Sequence, residues 1–170
     1  MSDLNRTVLI ADDDRRLALA LDLRCRELGL KTLVVYDAIS ALTAIRHHRP
    51  DVICLDVEMP AGNGLSVCEM LANDKEFSSI PVIILTGRRD HDTVRRCHSM
   101  CAYYVLKSND TWGRVEPLLR ELLELGEARQ RRQEQAAEDE SASSGPASWL
   151  ISIANNGVYN HAEEPGAVGS

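Results

Sequence analysis

A doubly wound α/β fold, one parallel sheet covered by helices on both faces, is predicted by two features of this sequence. Five short runs, at residues 7–11, 32–36, 52–55, 81–85 and 102–106, are apolar on successive positions and rich in β-branched side chains. That pattern marks strands buried on both sides rather than on one. The segments between them carry helical periodicity instead. Strand and helix therefore alternate five times, which is how a parallel sheet acquires its crossover helices.

Each helix has a boundary signal. Asp14 precedes the first apolar stripe (Leu17, Leu21, Leu28) as an N-cap, and Gly29 closes it. The second stripe runs over 38–48 and stops before Pro50, because a residue ahead of proline is pushed out of the helical region. Residues 65–71 and 94–100 supply the third and fourth stripes. Leu118, Leu122 and Leu125 supply a fifth that ends near Gly126. Beyond that glycine, EARQRRQEQAAEDE offers only alanine as apolar surface, so it either prolongs the last helix in solvated form or is coil. ESASSGPAS reads as a flexible linker. The patch SWLISIANNGVY contains a hairpin-type Asn156-Gly157 pair, although a lone hairpin is marginal in water. The expected organisation is a folded domain over 1–126 and a polar, flexible tail over 127–170.

Composition narrows the function classes. The 170 residues suffice for a domain with its own core. With 44% apolar and 26% charged residues the chain has the balance of a soluble globular protein, and with 4% aromatics its core must be mainly aliphatic. A net charge of −7 argues against nonspecific binding to nucleic acid or to an anionic membrane. MSDLNRT lacks a signal-peptide pattern and no apolar run has the length of a membrane span, so a cytoplasmic protein is expected. The five cysteines form an odd set without framework spacing. Cys97-His98-x-x-Cys101 lacks the second ligand pair that a structural zinc needs, so thiols in or beside the core are expected.

The chemistry lies at the strand ends. In an open parallel sheet, sites form beyond the carboxyl ends of the strands. Read there, the first run leads into Asp12 and Asp13, the third into Asp56, the fourth into Thr86 and the fifth into Lys107. If these converge, three carboxylates, a hydroxyl and an ammonium share one site. Two carboxylates about 4 Å apart cost about 4 kcal/mol at an effective dielectric near 20. Such a cluster must take up protons or bind a cation. An all-oxygen donor set favours a hard divalent ion, and Mg²⁺ suits a half-open site that shares a phosphate. A carboxylate beside such an ion can attack phosphorus, with Lys107 offsetting charge and Thr86 donating to a phosphoryl oxygen. The acidic first loop is the reverse of the glycine-rich loops that cradle phosphates, which argues against flavin or dinucleotide at this position.

VLIADDD, DVICLDVEMPAGNGL, PVIILTG and YVLKS, in this order and spacing over residues 5–126, resemble the receiver domain of two-component response regulators. The resemblance implies a flavodoxin-like fold with sheet order 2-1-3-4-5, which sets the first and third strands side by side. It implies Asp56 as phosphoacceptor and Asp13 as direct Mg²⁺ ligand, with Asp12 as its partner and the backbone carbonyl of Glu58 as a further ligand. Thr86 matches the switch hydroxyl, Lys107 the phosphate-pairing lysine, and Tyr104 the aromatic that moves inward on activation. It implies a sensor histidine kinase or a His-phosphotransfer protein as phosphodonor, and a slow autodephosphorylation rather than enzymatic turnover. Output is expected by protein contact, with no DNA binding and no membrane. A homodimer through the face of the fourth helix, fifth strand and fifth helix fits the same pattern. A phosphorelay intermediate, a degenerate receiver acting as a constitutive interaction module, and an aspartyl-phosphate phosphatase are the competing functions.

Two positions depart from the family pattern. Ser108 follows Lys107 where the family usually has a proline in a cis bond, so the loop is either trans, or cis and strained. Glu58, two residues after Asp56, is expected to reach the metal, orient a water or face solvent, and to affect the dephosphorylation rate. Arg88 and Arg89, just past Thr86, either reach the phosphate or form the solvated start of a helix, and the second reading is favoured.

Overall fold

The computed structural model describes residues 5–143. Seven strands and five helices follow in the order β1 (Thr7–Ala11), α1 (Arg15–Glu27), β2 (Lys31–Val35), α2 (Ala38–His48), β3 (Val52–Asp56), β4 (Glu58–Met59), β5 (Gly62–Asn63), α3 (Gly64–Asn73), β6 (Val82–Thr86), α4 (His91–Ser99), β7 (Tyr103–Leu106) and α5 (Thr111–Ser143). The main sheet has the order β2-β1-β3-β6-β7 with every pair parallel. This is the expected flavodoxin-like 2-1-3-4-5 order, since β4 and β5 form a separate antiparallel ribbon that periodicity did not anticipate.

Successive strand residues serve opposite faces, which is why the runs are continuously apolar. Leu9 and Ala11 of β1, Ile53 and Leu55 of β3, and Ile84 of β6 pack under α2, α3 and α4. Val8, Ile10, Val52, Cys54, Ile83 and Leu85 pack on the other face, under α1 and α5. Both cores are aliphatic, and among the described residues Phe77 is the one buried aromatic side chain. Cys25, Cys54, Cys68 and Cys97 are buried and Cys101 is exposed. Burial pushes the Cys68 thiol up to about 11 and raises those of Cys25, Cys54 and Cys97 as well, so the four buried cysteines are packing thiols rather than metal-ready thiolates.

Several boundaries differ from expectation, each for a local reason. Asp14 does cap α1, accepting from the N–H groups of Arg16 and Leu17. α4 begins three residues ahead of its apolar stripe because Asp90 caps it, accepting from Thr93 N while the Thr93 hydroxyl donates back to Asp90. α5 runs through Gly126 to Ser143: one glycine costs a helix only about 1 kcal/mol, and good helix formers flank it. The solvated helical extension is thus the alternative observed. The rest of the linker segment and the patch around Asn156-Gly157 lie outside the described residues. The chain divides after Glu127, and the candidate site lies wholly within the first unit.

The β4–β5 ribbon turns through Pro60 and Ala61, with Ala61 at φ 62° in the left-handed region. The Pro60 carbonyl accepts from Ala38 N at 3.1 Å, tying the turn to the start of α2. A side chain at positive φ carries strain that glycine escapes. Ala61→Gly is therefore expected to raise stability by about 0.5–1 kcal/mol despite the greater freedom it adds to the unfolded chain, as read from the denaturant midpoint at unchanged m-value.

Candidate functional site

Strand register assembles the site. Ala11 lies opposite Leu55, so the next residues, Asp12 and Asp56, emerge side by side. Asp56 lies opposite Leu85, and Thr86 opposite Leu106, which puts Thr86 and Lys107 at the same end of the sheet. Lys107 N donates to the Thr86 carbonyl at 2.8 Å, continuing the ladder one residue past β7. A one-residue slip in any strand would turn its functional side chain to the other face.

The charged groups meet as the sequence suggests. One carboxylate oxygen from each of Asp12, Asp13 and Asp56 falls within 4.8 Å of the others. Asp12 is fully buried, Asp56 is 4% exposed and Asp13 is exposed. The Lys107 ammonium sits between the two buried acids, 2.8 Å from Asp12 Oδ2 and 3.0 Å from Asp56 Oδ2. Asp14 N donates to Asp12 Oδ1 at 2.9 Å, and Glu58 N makes a long contact of 3.4 Å to Asp56 Oδ1. Asp12 Oδ2 has Lys107 as its charge partner, yet no donor is aligned with it for a hydrogen bond. A buried oxygen with a spare lone pair, in an all-carboxylate set open through Asp13, fits a hard divalent cation such as Mg²⁺. No other group of three metal-competent side chains occurs among the described residues.

Burial, and then the neighbouring Asp12 carboxylate, push Asp56 up to about 6 against the pull of Lys107. Lys107 is held above the usual lysine value: burial opposes its charge, but Asp12 first and then Asp56 outweigh that.

Backbone devices hold the loop after Asp56. Gly64 begins α3 against the chain that follows β3, and a Cβ placed there would stand 1.9 Å from the Asp56 carbonyl oxygen. Gly64 N donates to the Val57 carbonyl at 2.9 Å, and Asn63 caps α3 by accepting from Leu65 N.

The remaining expected residues are placed as follows. Thr86 is buried, and its hydroxyl accepts from Arg88 N at 3.0 Å, leaving its own proton to donate. Tyr104 is half-buried and donates from its hydroxyl to the Arg88 carbonyl at 2.8 Å. The Glu58 side chain is exposed and pairs with Arg88 Nε at 2.8 Å rather than joining the carboxylate cluster. The peptide between Lys107 and Ser108 is trans. Ser108 N, a donor that proline would lack, bonds the Thr111 hydroxyl at 2.8 Å, and that hydroxyl donates to the Ser108 carbonyl at 2.7 Å. Ser108 and Thr111 thus fix the start of α5 together. The spacing Ser-x-x-Thr carries this signal, and the sequence reading passed over it. Arg88 and Arg89 are exposed and precede α4, which starts at His91, and the main-chain bonds of Arg88 to both Thr86 and Tyr104 have no sequence signature.

Comparison with known proteins agrees with this geometry. The sequence profile of the response regulator receiver domain matches residues 8–111. The DNA-binding response regulator MtrA of Mycobacterium tuberculosis is 37% identical over 108 residues, which are 63% of this chain and 46% of MtrA. The chain thus spans about half the length of the MtrA proteins it matches. The polar-differentiation response regulator DivK of Brucella anthropi is 31% identical over 103 residues, 59% of this chain and 81% of DivK. The solved receiver domain of the Francisella response regulator 1452 superposes with a TM-score of 0.63 at 30% identity, covering 72% of this chain and 99% of that one.

Two consequences follow from the site's packing. Gly64→Ala is expected to displace the Asp56 main chain and to destabilise the protein by about 1–3 kcal/mol, the usual range for overpacking, measurable by urea denaturation. The second concerns pH. A carboxyl whose folded value lies near 6, above its ordinary 3.8, binds its proton more tightly in the folded state. Its contribution to stability is full at low pH and is lost as pH rises from about 4 to 6. In chelator, wild type should therefore fall in Tm relative to Asp56→Asn across that window; a difference independent of pH would contradict it.

Proposed function

The chain belongs to the response regulator receiver domain family, and we propose that it is a phosphorylation switch in which Asp56 accepts a phosphoryl group from a sensor histidine kinase or a His-phosphotransfer protein. The observation that carries this reading is the Lys107 ammonium held between the buried Asp12 and Asp56 carboxylates. An ion pair built only for stability would not need two acids, since a buried pair is matched with one. The second acid leaves negative charge in excess, as a cation-assisted phosphoryl site requires.

Asp12, Asp13 and Asp56, with the backbone carbonyl of Glu58, are the residues proposed to hold Mg²⁺. When bound, that ion supplies charge neutralisation for the incoming phosphoryl oxygens. Asp56 attacks with Oδ1, the oxygen not paired with Lys107, forming an O–P bond as the P–N bond to the donor histidine breaks and its electron pair returns to the imidazole. Lys107 stays paired with Asp12 and turns its remaining charge to the phosphoryl oxygens. The Thr86 proton, not committed elsewhere, donates to one of those oxygens. Tyr104 then leaves the Arg88 carbonyl for the space that Thr86 vacates. The phosphoryl group needs only to bind this second arrangement better than the first. The protein acts as an acceptor and switch in the cytoplasm rather than as a turnover enzyme, and its output is a changed protein contact.

Incubation with acetyl phosphate and Mg²⁺, followed by intact-mass measurement, tests the proposal. Wild type should gain the mass of one phosphoryl group and Asp56→Asn none. No gain in wild type would indicate a module that is never phosphorylated, and sustained turnover of an external phosphomonoester would indicate a phosphatase.

A further inference from the structure

The end of the sheet opposite the carboxylate site is built from the first residues of β1 and β2 and the last residues of α1 and α2. Here β2 is an edge strand, with β1 as its one neighbour. Lys31 N donates to the Arg6 carbonyl and the Val35 carbonyl accepts from Asp12 N, so the odd-numbered residues of β2 turn their main chain to β1. The residues between them face outward, which leaves the Thr32 N–H and carbonyl on the open edge. A cavity of about 420 Å³ lies across this edge. Arg26 and Leu30 line it from the end of α1 and the turn after it, Lys31, Thr32 and Leu33 from β2, and His48 from the end of α2. In a chain of net charge −7, this cavity is lined by cations and by no carboxylate.

We propose that this cavity is a binding site for a small phosphate-bearing molecule, separate from Asp56. Arg26 is held through Nε alone, which pairs with Asp22 Oδ1 at 2.7 Å and donates to the Thr32 hydroxyl at 3.1 Å. The Thr32 hydroxyl in turn donates to Asp22. The guanidinium plane is thereby fixed while both terminal nitrogens keep their N–H groups for a ligand, and such a fork suits two oxygens of one phosphate. The side chains of Lys31 and His48 have no ion-pair or hydrogen-bond partner among the described residues. Two acids touch lining residues, and both are committed: Asp22 as above, and Asp51 to Arg6 at 3.0 Å and to Thr7 N at 2.7 Å. Basic residues in the last turn of a helix often serve its dipole, and Arg26 and His48 occupy such positions. That reason does not extend to Lys31, which opens a strand, or to the cavity between the three. Leu30 and Leu33 add apolar surface for an organic group, and the volume is that of a small-molecule site.

Titration of the ¹⁵N-labelled full chain with inorganic phosphate and with phenyl phosphate, free of metal and at constant ionic strength, tests the site through its backbone amide shifts. The amides of Lys31 and Thr32 should shift and saturate. Lys31→Ala, a change at an exposed strand start, should raise the half-saturation about fivefold, the upper size for an exposed charge pair. Arg26→Lys should weaken binding by less, since it keeps the charge and loses the fork. Lys75→Ala, which removes an exposed lysine from the turn after α3, should bind as wild type does. Tighter binding of phenyl phosphate assigns an organic phosphate that uses Leu30 and Leu33, and equal affinity assigns free phosphate. Shifts that grow without saturation, or a Lys75→Ala effect as large as that of Lys31→Ala, would overturn the site. Lys31→Ala should still gain one phosphoryl group from acetyl phosphate, so this proposal and the role of Asp56 stand or fall separately.

Discussion

Two carboxylates on adjacent parallel strands cannot move apart, because the register that packs both faces of the sheet also fixes their separation. Asp12 and Asp56 are in that position, one strand over from each other and both buried. What makes the arrangement tolerable is the single ammonium of Lys107, which contacts both from the end of β7. Repulsion between two such charges is about 4 kcal/mol at 4 Å for an effective dielectric near 20, and attraction of similar size to a cation offsets it. The third acid, Asp13, lies exposed where water screens it. Burial first, and then the Asp12 carboxylate, hold Asp56 above its ordinary value despite Lys107. A site left in this state takes up a proton or a cation readily, and the proposed chemistry uses the second response.

The surroundings keep that balance from relaxing. Asp12 is oriented by the N–H of Asp14, which also caps α1, so the first acid is tied to a helix start. Asp56 is backed by α3 at a distance that only glycine at position 64 permits. The ribbon of β4 and β5 closes the same loop and rests on the first residue of α2 through the Pro60 carbonyl. On the far side, Ser108 and Thr111 lock the segment after Lys107 with a trans peptide and reciprocal hydrogen bonds. These are local backbone solutions, and each acts within a few residues of a functional side chain.

One segment beside the site is held by few contacts. The Thr86 hydroxyl and the Tyr104 phenol both depend on the main chain of Arg88, in the segment that links β6 to α4. That segment is stabilised by an exposed ion pair rather than by packed apolar surface, so it lies at the low-stability end of an otherwise close-packed sheet. A rigid array of acids with one weakly held loop beside it is the arrangement a charge-driven switch needs.

Much of this was legible without coordinates. Continuous apolar runs alternating with helical stripes determine a parallel sheet, because only strands buried on both faces lack a polar side. The polar residue after four of the five runs then marks the end of the sheet where the candidate site lies, which is how Asp12, Asp13, Asp56, Thr86 and Lys107 could be named together from position alone. Helix ends set by short-range capping, such as Asp14, were equally readable. Other features were decided in three dimensions. Which strands are neighbours, and hence which acids repel, depends on pairing between residues some forty positions apart. The orientation of Glu58 toward Arg88 rather than toward the carboxylates depends on a loop from a different strand. The linking role of Arg88 rests on its main-chain N–H and carbonyl, which every non-proline residue carries, so no side-chain pattern could announce it. Local periodicity and capping are written in residue type; the partners of a backbone group, and the distance between two charges, exist only once the chain has closed on itself.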